Sequence, residues 1–204
     1  NPEAPGVAPL LAANDRGLAA LRMPAIYAAT QAAKFGVTEF MVRLEHALAD
    51  GLRLIQVHEP ALSPEQQTQF ARRVVACARE YGAIVLVNGN EMLARKTDAD
   101  GIHTPSAQLR RLIKRPASRI WVASCHNATD LAHARDLGAD FVTLSPVLTS
   151  ARHPGTPALG WAKFQSMVRG YPLPVYALGG MHPNVLHEAH RNGAHGIAFS
   201  DGAW

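Results

Sequence analysis

Short aliphatic runs recur along this chain at Ile26, Leu54, Val85, Ile102, Val122, Val142, Val175 and Ile197, and none alternates polar with apolar residues. A strand exposed on one face alternates with period two, whereas one buried on both faces reads as a continuous apolar run. The runs lie ~24 residues apart on average, close to the spacing of strand-helix units in a barrel of eight parallel strands. Helix signatures fill the spacers. Ser63-Pro64-Glu65-Gln66 offers an N-cap serine, proline at the first helical position and glutamine at the third, ahead of a stripe of Phe70, Val74, Cys77 and Tyr81 that Gly82 should end. Val37, Met41, Leu44 and Leu48 form a second stripe closed by Gly51. Asn127 caps a third, carrying Leu131, Ala134 and Leu137 and stopping at Gly138, and a further helix runs from Pro183 to Asn192 before Gly193.

The pattern predicts an α/β protein, a TIM-type (β/α)8 barrel over residues 24–204. Phe199 to Trp204 are too few residues to build an eighth helix after the last strand. The last helix is therefore expected to be missing or replaced by an N-terminal helix, for which Asn14 to Met23, with Leu18, Leu21 and Met23 apolar, is the candidate. Residues 1–23 read as linker plus this extra helix, the opening Asn1-Pro2-Glu3-Ala4-Pro5 suggesting a connection to a preceding domain.

Composition narrows the class. With 204 residues, 48% of them hydrophobic and 18% charged, the chain can bury one full core, which excludes a disordered tail or a disulfide mini-protein. Twenty Lys and Arg against sixteen Asp and Glu give a net charge of +4, but the cations are scattered. The charge does not by itself argue for nucleic acid, an anionic small ligand fits as well, and no nucleic acid is expected to be bound by this domain. Cys77 and Cys125 fall in a predicted helix and at a strand end, as in a reduced, cytoplasmic protein. The longest apolar stretches have strand length, short of the roughly 18 residues of a membrane span, so no membrane partner is expected.

In such a barrel the reactive residues come from the C-terminal ends of the strands and the loops that follow them. That rule selects Gln56 and His58 after the second strand, Asn88 after the third, His103 after the fourth, and Ser124 and His126 after the fifth. Ser150, Arg152 and His153 follow the sixth, Gly179 and Gly180 the seventh, and Ser200 the eighth. Five of the ten histidines, His58, His103, His126, His153 and His182, lie in these loops. No His-x-His or paired-cysteine spacing supports zinc, so no metal ligand is assigned and the histidines read as proton-transfer or ligand-bonding groups. Gly179-Gly180 lets backbone N–H groups approach an anion, which with Ser200 suggests phosphate binding, though a glycine pair also serves a plain turn.

From about Pro24 to Trp204 these loops resemble the thiamine phosphate synthase and thiazole tautomerase (TenI-like) superfamily. Ile26-Tyr27-Ala28-Ala29-Thr30 is similar to its first strand, and Gly51 through Glu59 to its Gly-x-x-x-Val-Gln-Leu-Arg-Glu-Lys signature. Val87-Asn88-Gly89-Asn90 resembles the Ile-Asn-Asp strand end, and Asp98-Ala99-Asp100-Gly101-Ile102-His103 resembles Gly-Ala-Asp-Gly-Val-His. Ser124-Cys125-His126 matches Ser-x-His, Gly138 through Phe141 matches Gly-Ala-Asp-Tyr, and Pro174 through Gly180 matches Pro-Val-x-Ala-x-Gly-Gly.

The resemblance implies a thiamine-pathway barrel that binds a small phosphorylated heterocycle, a thiazole phosphate or thiamine phosphate. The family's synthase joins a hydroxymethylpyrimidine diphosphate to a thiazole phosphate with the help of Mg²⁺. Here His58 and Pro60 stand where the family has Arg and Lys, and Gly89 and Gln108 stand where it has its two metal-binding Asp residues. In the diphosphate loop, Thr149-Ser150-Ala151-Arg152-His153 rearranges Pro-Thr-x-Thr-Lys, and Asp201 replaces a phosphate-facing Ser. Synthase activity is accordingly expected to be weak or lost, with Mg²⁺ needed only if it remains. The tautomerase branch implies proton transfer by the His of Ser-x-His, which is His126. Two other readings stand: His126 as a loop-ordering residue in a noncatalytic binding or scaffolding module, and an active synthase with a diphosphate site rebuilt from Arg152, His153 and His58. The chain also resembles the C-terminal barrel of proteobacterial proteins that begin with a MutT-type Nudix hydrolase, which implies an N-terminal Nudix partner domain.

Overall fold

All eight aliphatic runs become strands. The computed structural model describes residues 23–149, 155 and 157–204. Most of the predicted N-terminal helix, together with Ser150, Arg152 and His153, therefore lies outside the described residues. Strand β1 (Ile26–Ala29) leads through a short α1 (Ala32–Phe35) and α2 (Val37–Ala49) to β2 (Leu54–Val57). Helix α3 (Pro64–Glu80) precedes β3 (Ile84–Asn88), α4 (Glu91–Thr97) precedes β4 (Gly101–Thr104), and the single turn α5 (Ser106–Leu109) precedes β5 (Ile120–Cys125). Then come α6 (Ala128–Asp136), β6 (Phe141–Leu144), α7 (Gly160–Val168) and β7 (Val175–Leu178). A 3₁₀ turn (Pro183–Val185) runs into α8 (Leu186–Arg191), and β8 (Gly196–Phe199) pairs with β1 in parallel to close the barrel.

The helix starts follow local chemistry. Ser63 Oγ accepts the Gln66 N–H and the Gln66 side chain accepts the Ser63 N–H, a reciprocal capping box. Asn127 caps α6 by accepting the Asp130 N–H at 2.8 Å. On α2 the buried face is Phe40, Leu44 and Leu48, while Val37 and Met41 are half-buried, so the stripe is rotated toward Phe40 relative to the expected one.

Because side chains alternate across a strand, the two faces build two cores. The outward faces, including Ile55, Val85, Ile102, Trp121, Val142 and Ile197, pack beneath the helices. The inward faces fill the barrel with Tyr27, Leu54, Leu86, Val122, Phe141 and Tyr176, closed below by half-buried Met23. No helix follows β8 among the described residues: the Trp204 ring packs edge-on against Phe40 at 4.8 Å and donates its Nε1–H to Ala29 O at 2.8 Å. No helix among the described residues is long and apolar enough to cross a membrane.

Candidate functional site at the barrel mouth

The inward face of several strands turns from apolar to polar toward its C-terminal end. Leu54 gives way to Gln56, Leu86 to Asn88, Val122 to Ser124 and Phe141 to Thr143, each two residues on and so on the same face. Gln56 Nε2 donates to Asn88 Oδ1 at 2.9 Å, which joins β2 and β3 across the mouth. His103 does not reach the opening: it is 2% exposed, with Nδ1 2.8 Å from Tyr27 Oη and Nε2 2.7 Å from Ser124 Oγ. Burial, with nearby His58 adding to it, lowers its pKa to about 3, so it is neutral throughout the physiological range.

His126 lies exposed on the rim. Its Nδ1 is 2.8 Å from the Ser145 carbonyl oxygen, and the Ser145 hydroxyl lies 3.2 Å from the same nitrogen. A carbonyl only accepts, so Nδ1 carries the proton and the neutral ring keeps its lone pair on Nε2. The backbone beneath is held by Asp130, a residue the strand-end rule passed over. Its carboxylate, 2% exposed, accepts the His126 N–H at 3.0 Å and a two-pronged contact from Arg110. Those bonds outweigh the desolvation of the carboxyl and lower its pKa. A signal was available, since Asp130 stands three residues after the N-cap Asn127, the spacing of a capping box.

Gly179 and Gly180 adopt positive φ of 94° and 66°. A Cβ on Gly179 would lie 2.9 Å from Pro146 Cα, and one on Gly180 2.6 Å from Thr149 O. The pair therefore has a structural duty: it admits the chain leaving β6, whose Val147 and Leu148 N–H groups bond Leu178 O and Gly179 O. Ser200 is half-buried at the end of β8. Beside it, Asp201 accepts from Gln31 Nε2 at 2.7 Å and pairs with Lys34 at 3.2 Å, so the carboxylate expected to oppose a phosphate has a cation next to it.

On the β2–β3 side, His58 is exposed and donates its backbone N–H to Thr30 Oγ1. The next residue, Glu59, also escaped sequence reasoning. It is 5% exposed and both carboxylate oxygens accept N–H groups at the start of α1, from Ala32 and Ala33, a pairing across 27 and 26 residues with no local signature. A hollow of 140 Å³ opens here among His58, Pro60, Gln67, Phe70, Asn88 and Leu93. Gly89 and Gln108 do meet: a Cβ on Gly89 would lie 3.1 Å from Gln108 Nε2. Neither carries a carboxylate, and among the described residues no group of three or more His, Cys, Asp or Glu is placed to hold a metal ion. The donor set does not fit Mg²⁺, which is usually held by one or two carboxylates plus phosphates.

The family model described as thiamine monophosphate synthase matches residues 26–203. A thiamine-phosphate synthase homologue of Aquifex aeolicus is 32% identical over 180 residues, 87% of this chain and 96% of its own. The thiamine-phosphate synthase of Thioalkalivibrio sulfidiphilus is 29% identical over 189 residues, 90% of this chain and 89% of its own. Among solved structures, a thiamine phosphate pyrophosphorylase of Pyrococcus furiosus superposes with a TM-score of 0.71 at 22% identity, covering 85% of this chain and 83% of that one, which shows a shared fold.

Proposed function

This chain belongs to the thiamine monophosphate synthase family, and on that premise we propose that its mouth binds a phosphorylated thiazole and moves a proton on it through His126, with synthase turnover weak or absent. The observation that carries this reading is the bond from His126 Nδ1 to the Ser145 carbonyl. It sets the ring orientation and leaves Nε2, on an exposed ring, as the atom that takes the proton and returns it. Ser124, Gln56 and Asn88 supply hydrogen bonds to the heterocycle, and the turn at Gly179-Gly180 with Ser200 receives the phosphate.

The same chemistry disfavours the synthase reaction. Its transition state develops charge on a departing pyrophosphate, and preorganised cations or donors are commonly worth about 10²–10³ in rate each. His58, Pro60, Gly89 and Gln108 supply neither a fixed cation nor a carboxylate for a metal. The test pairs binding with turnover. A thermal-shift series with thiazole phosphate, thiamine phosphate, pyrimidine diphosphate and orthophosphate should show stabilisation by the thiazole phosphate, by mass action on the folded state. Isomerisation of a thiazole carboxylate phosphate should be measurable, and Mg²⁺-dependent coupling should stay below about 1 s⁻¹. Coupling at or above that rate, or no thiazole binding, would overturn the proposal.

A further inference from the structure

Tyr27, His103 and Ser124 form a hydrogen-bonded row that runs from the barrel interior to the mouth. Its two bonds measure 2.8 Å and 2.7 Å. Tyr27 is 1% exposed, ringed by Phe141, Tyr176 and the His103 imidazole. Among the described residues its hydroxyl has one partner, His103 Nδ1. A buried hydroxyl proton with no acceptor is costly, so Tyr27 donates and Nδ1 accepts. Burial also holds the phenol well above its usual pKa, which keeps that proton in place. His103 is neutral and has one proton, which must then sit on Nε2 and point at Ser124 Oγ. The serine oxygen receives a bond from below, and its own proton is directed elsewhere.

We infer that Tyr27 is a positioning residue: acting through His103, it makes Ser124 Oγ a hydrogen-bond donor into the mouth, so the ligand presents an acceptor atom there. A heteroaromatic ring nitrogen or an anionic oxygen meets that requirement, whereas an N–H or O–H group at the same point does not. A second observation places unfilled hydrogen-bonding capacity beside this donor. Thr143, paired with Ser124 across β5 and β6, is wholly buried and its Oγ1 has no partner among the described residues. The two hydroxyls together mark where a polar ligand atom, or a water between it and the wall, completes the layer. The ligand half of this inference rests on the proposed thiazole phosphate site. The direction of the row does not.

The test separates the two halves. Nitrogen-15 NMR of the histidine side chains in the whole protein, with the His103 signals assigned by their loss in His103→Gln, should show Nε2 protonated and Nδ1 bare and hydrogen-bonded. A proton on Nδ1 overturns the row whatever the ligand does. Titration calorimetry with thiazole phosphate should show Ser124→Ala binding about tenfold more weakly, the scale of one hydrogen bond. Tyr27→Phe keeps the ring, releases the His103 tautomer, and should weaken binding by about threefold to tenfold while lowering the Nε2-protonated signal. Unchanged affinity in Ser124→Ala, with the expected tautomer in the parent, overturns the donor role. If the parent binds no phosphorylated thiazole, the proposed function and the donor role fall together, and the NMR result still decides the row.

Discussion

The mouth has two sectors built from the same strand-helix unit and equipped for different chemistry. From β5 to β7, a few groups are fixed by hydrogen bonds: His126 by the Ser145 carbonyl and Asp130, and the Gly179-Gly180 turn by the chain leaving β6. From β2 to β4, the corresponding loops carry His58, Pro60, Gly89 and Gln108, and the hollow on the β2–β3 side is lined by His58, Pro60, Phe70 and Leu93. Proton transfer asks for one well-oriented imidazole, whereas expulsion of a diphosphate asks for several fixed charges. On the proposed reading, the β5–β7 side meets the first demand and the β2–β4 side does not meet the second.

Breaking the β5–β7 sector should give the largest effect. His126→Gln removes the proton-transfer group and should lower any thiazole isomerisation rate by about 10²–10⁴, with melting temperature and ligand affinity nearly unchanged. Steady-state kinetics beside calorimetry decides it, since a loop-ordering histidine would do the reverse. Next, Asp130→Ala withdraws the acceptor of both the His126 N–H and Arg110, and should cost about 1–3 kcal/mol of stability in a denaturant titration. The turnover per folded molecule should fall with it. Arg110→Ala, removing an exposed partner, should cost less.

Per pH unit, the effect of the buried histidine is smaller. His103 has its pKa depressed from 6.5 to about 3, so the unfolded chain binds a proton that the native state refuses. Stability should therefore fall as pH drops from 6.5 toward 3, by up to about 1.4 kcal/mol per pH unit from this group. Urea titrations at several pH values should show a flatter slope in His103→Gln. The smallest effect lies in the β2–β4 sector. Gly89→Asp alone forces a side chain at φ +62° against Gln108 and should cost about 1 kcal/mol. Adding Gln108→Asp should relieve the crowding and create measurable Mg²⁺ binding. A single variant that binds Mg²⁺ as well as the double one would show that the two positions do not cooperate.

Much of the architecture was legible because strand burial writes itself into composition. Eight aliphatic runs, with caps at Ser63 and Asn127, need no long-range information to be read. The site was legible as a set of positions after strand ends, and Gln56, Asn88, Ser124 and His126 do gather at one mouth. Their partners were not legible. Ser145 just after β6, Tyr27 on β1 and Glu59 beneath α1 carry no local mark, because each acts on a residue between 19 and 76 positions away. Trp204 likewise reaches Phe40 and Ala29 through contacts that spacing alone does not predict.

By itself, then, the sequence determined the number of strands, their burial on both faces, the helix starts and the kinds of chemical groups at the mouth. These are set by nearest-neighbour propensities and by the hydrophobic effect, which act on residue type and period. The tertiary structure decided which groups face the ring nitrogens of His103 and His126, which carboxylates bond backbone N–H groups, and that the two glycines at β7 admit the neighbouring loop. Those outcomes depend on the satisfaction of individual donors and acceptors in a dry interior, and only closure of the barrel brings the partners within bonding distance.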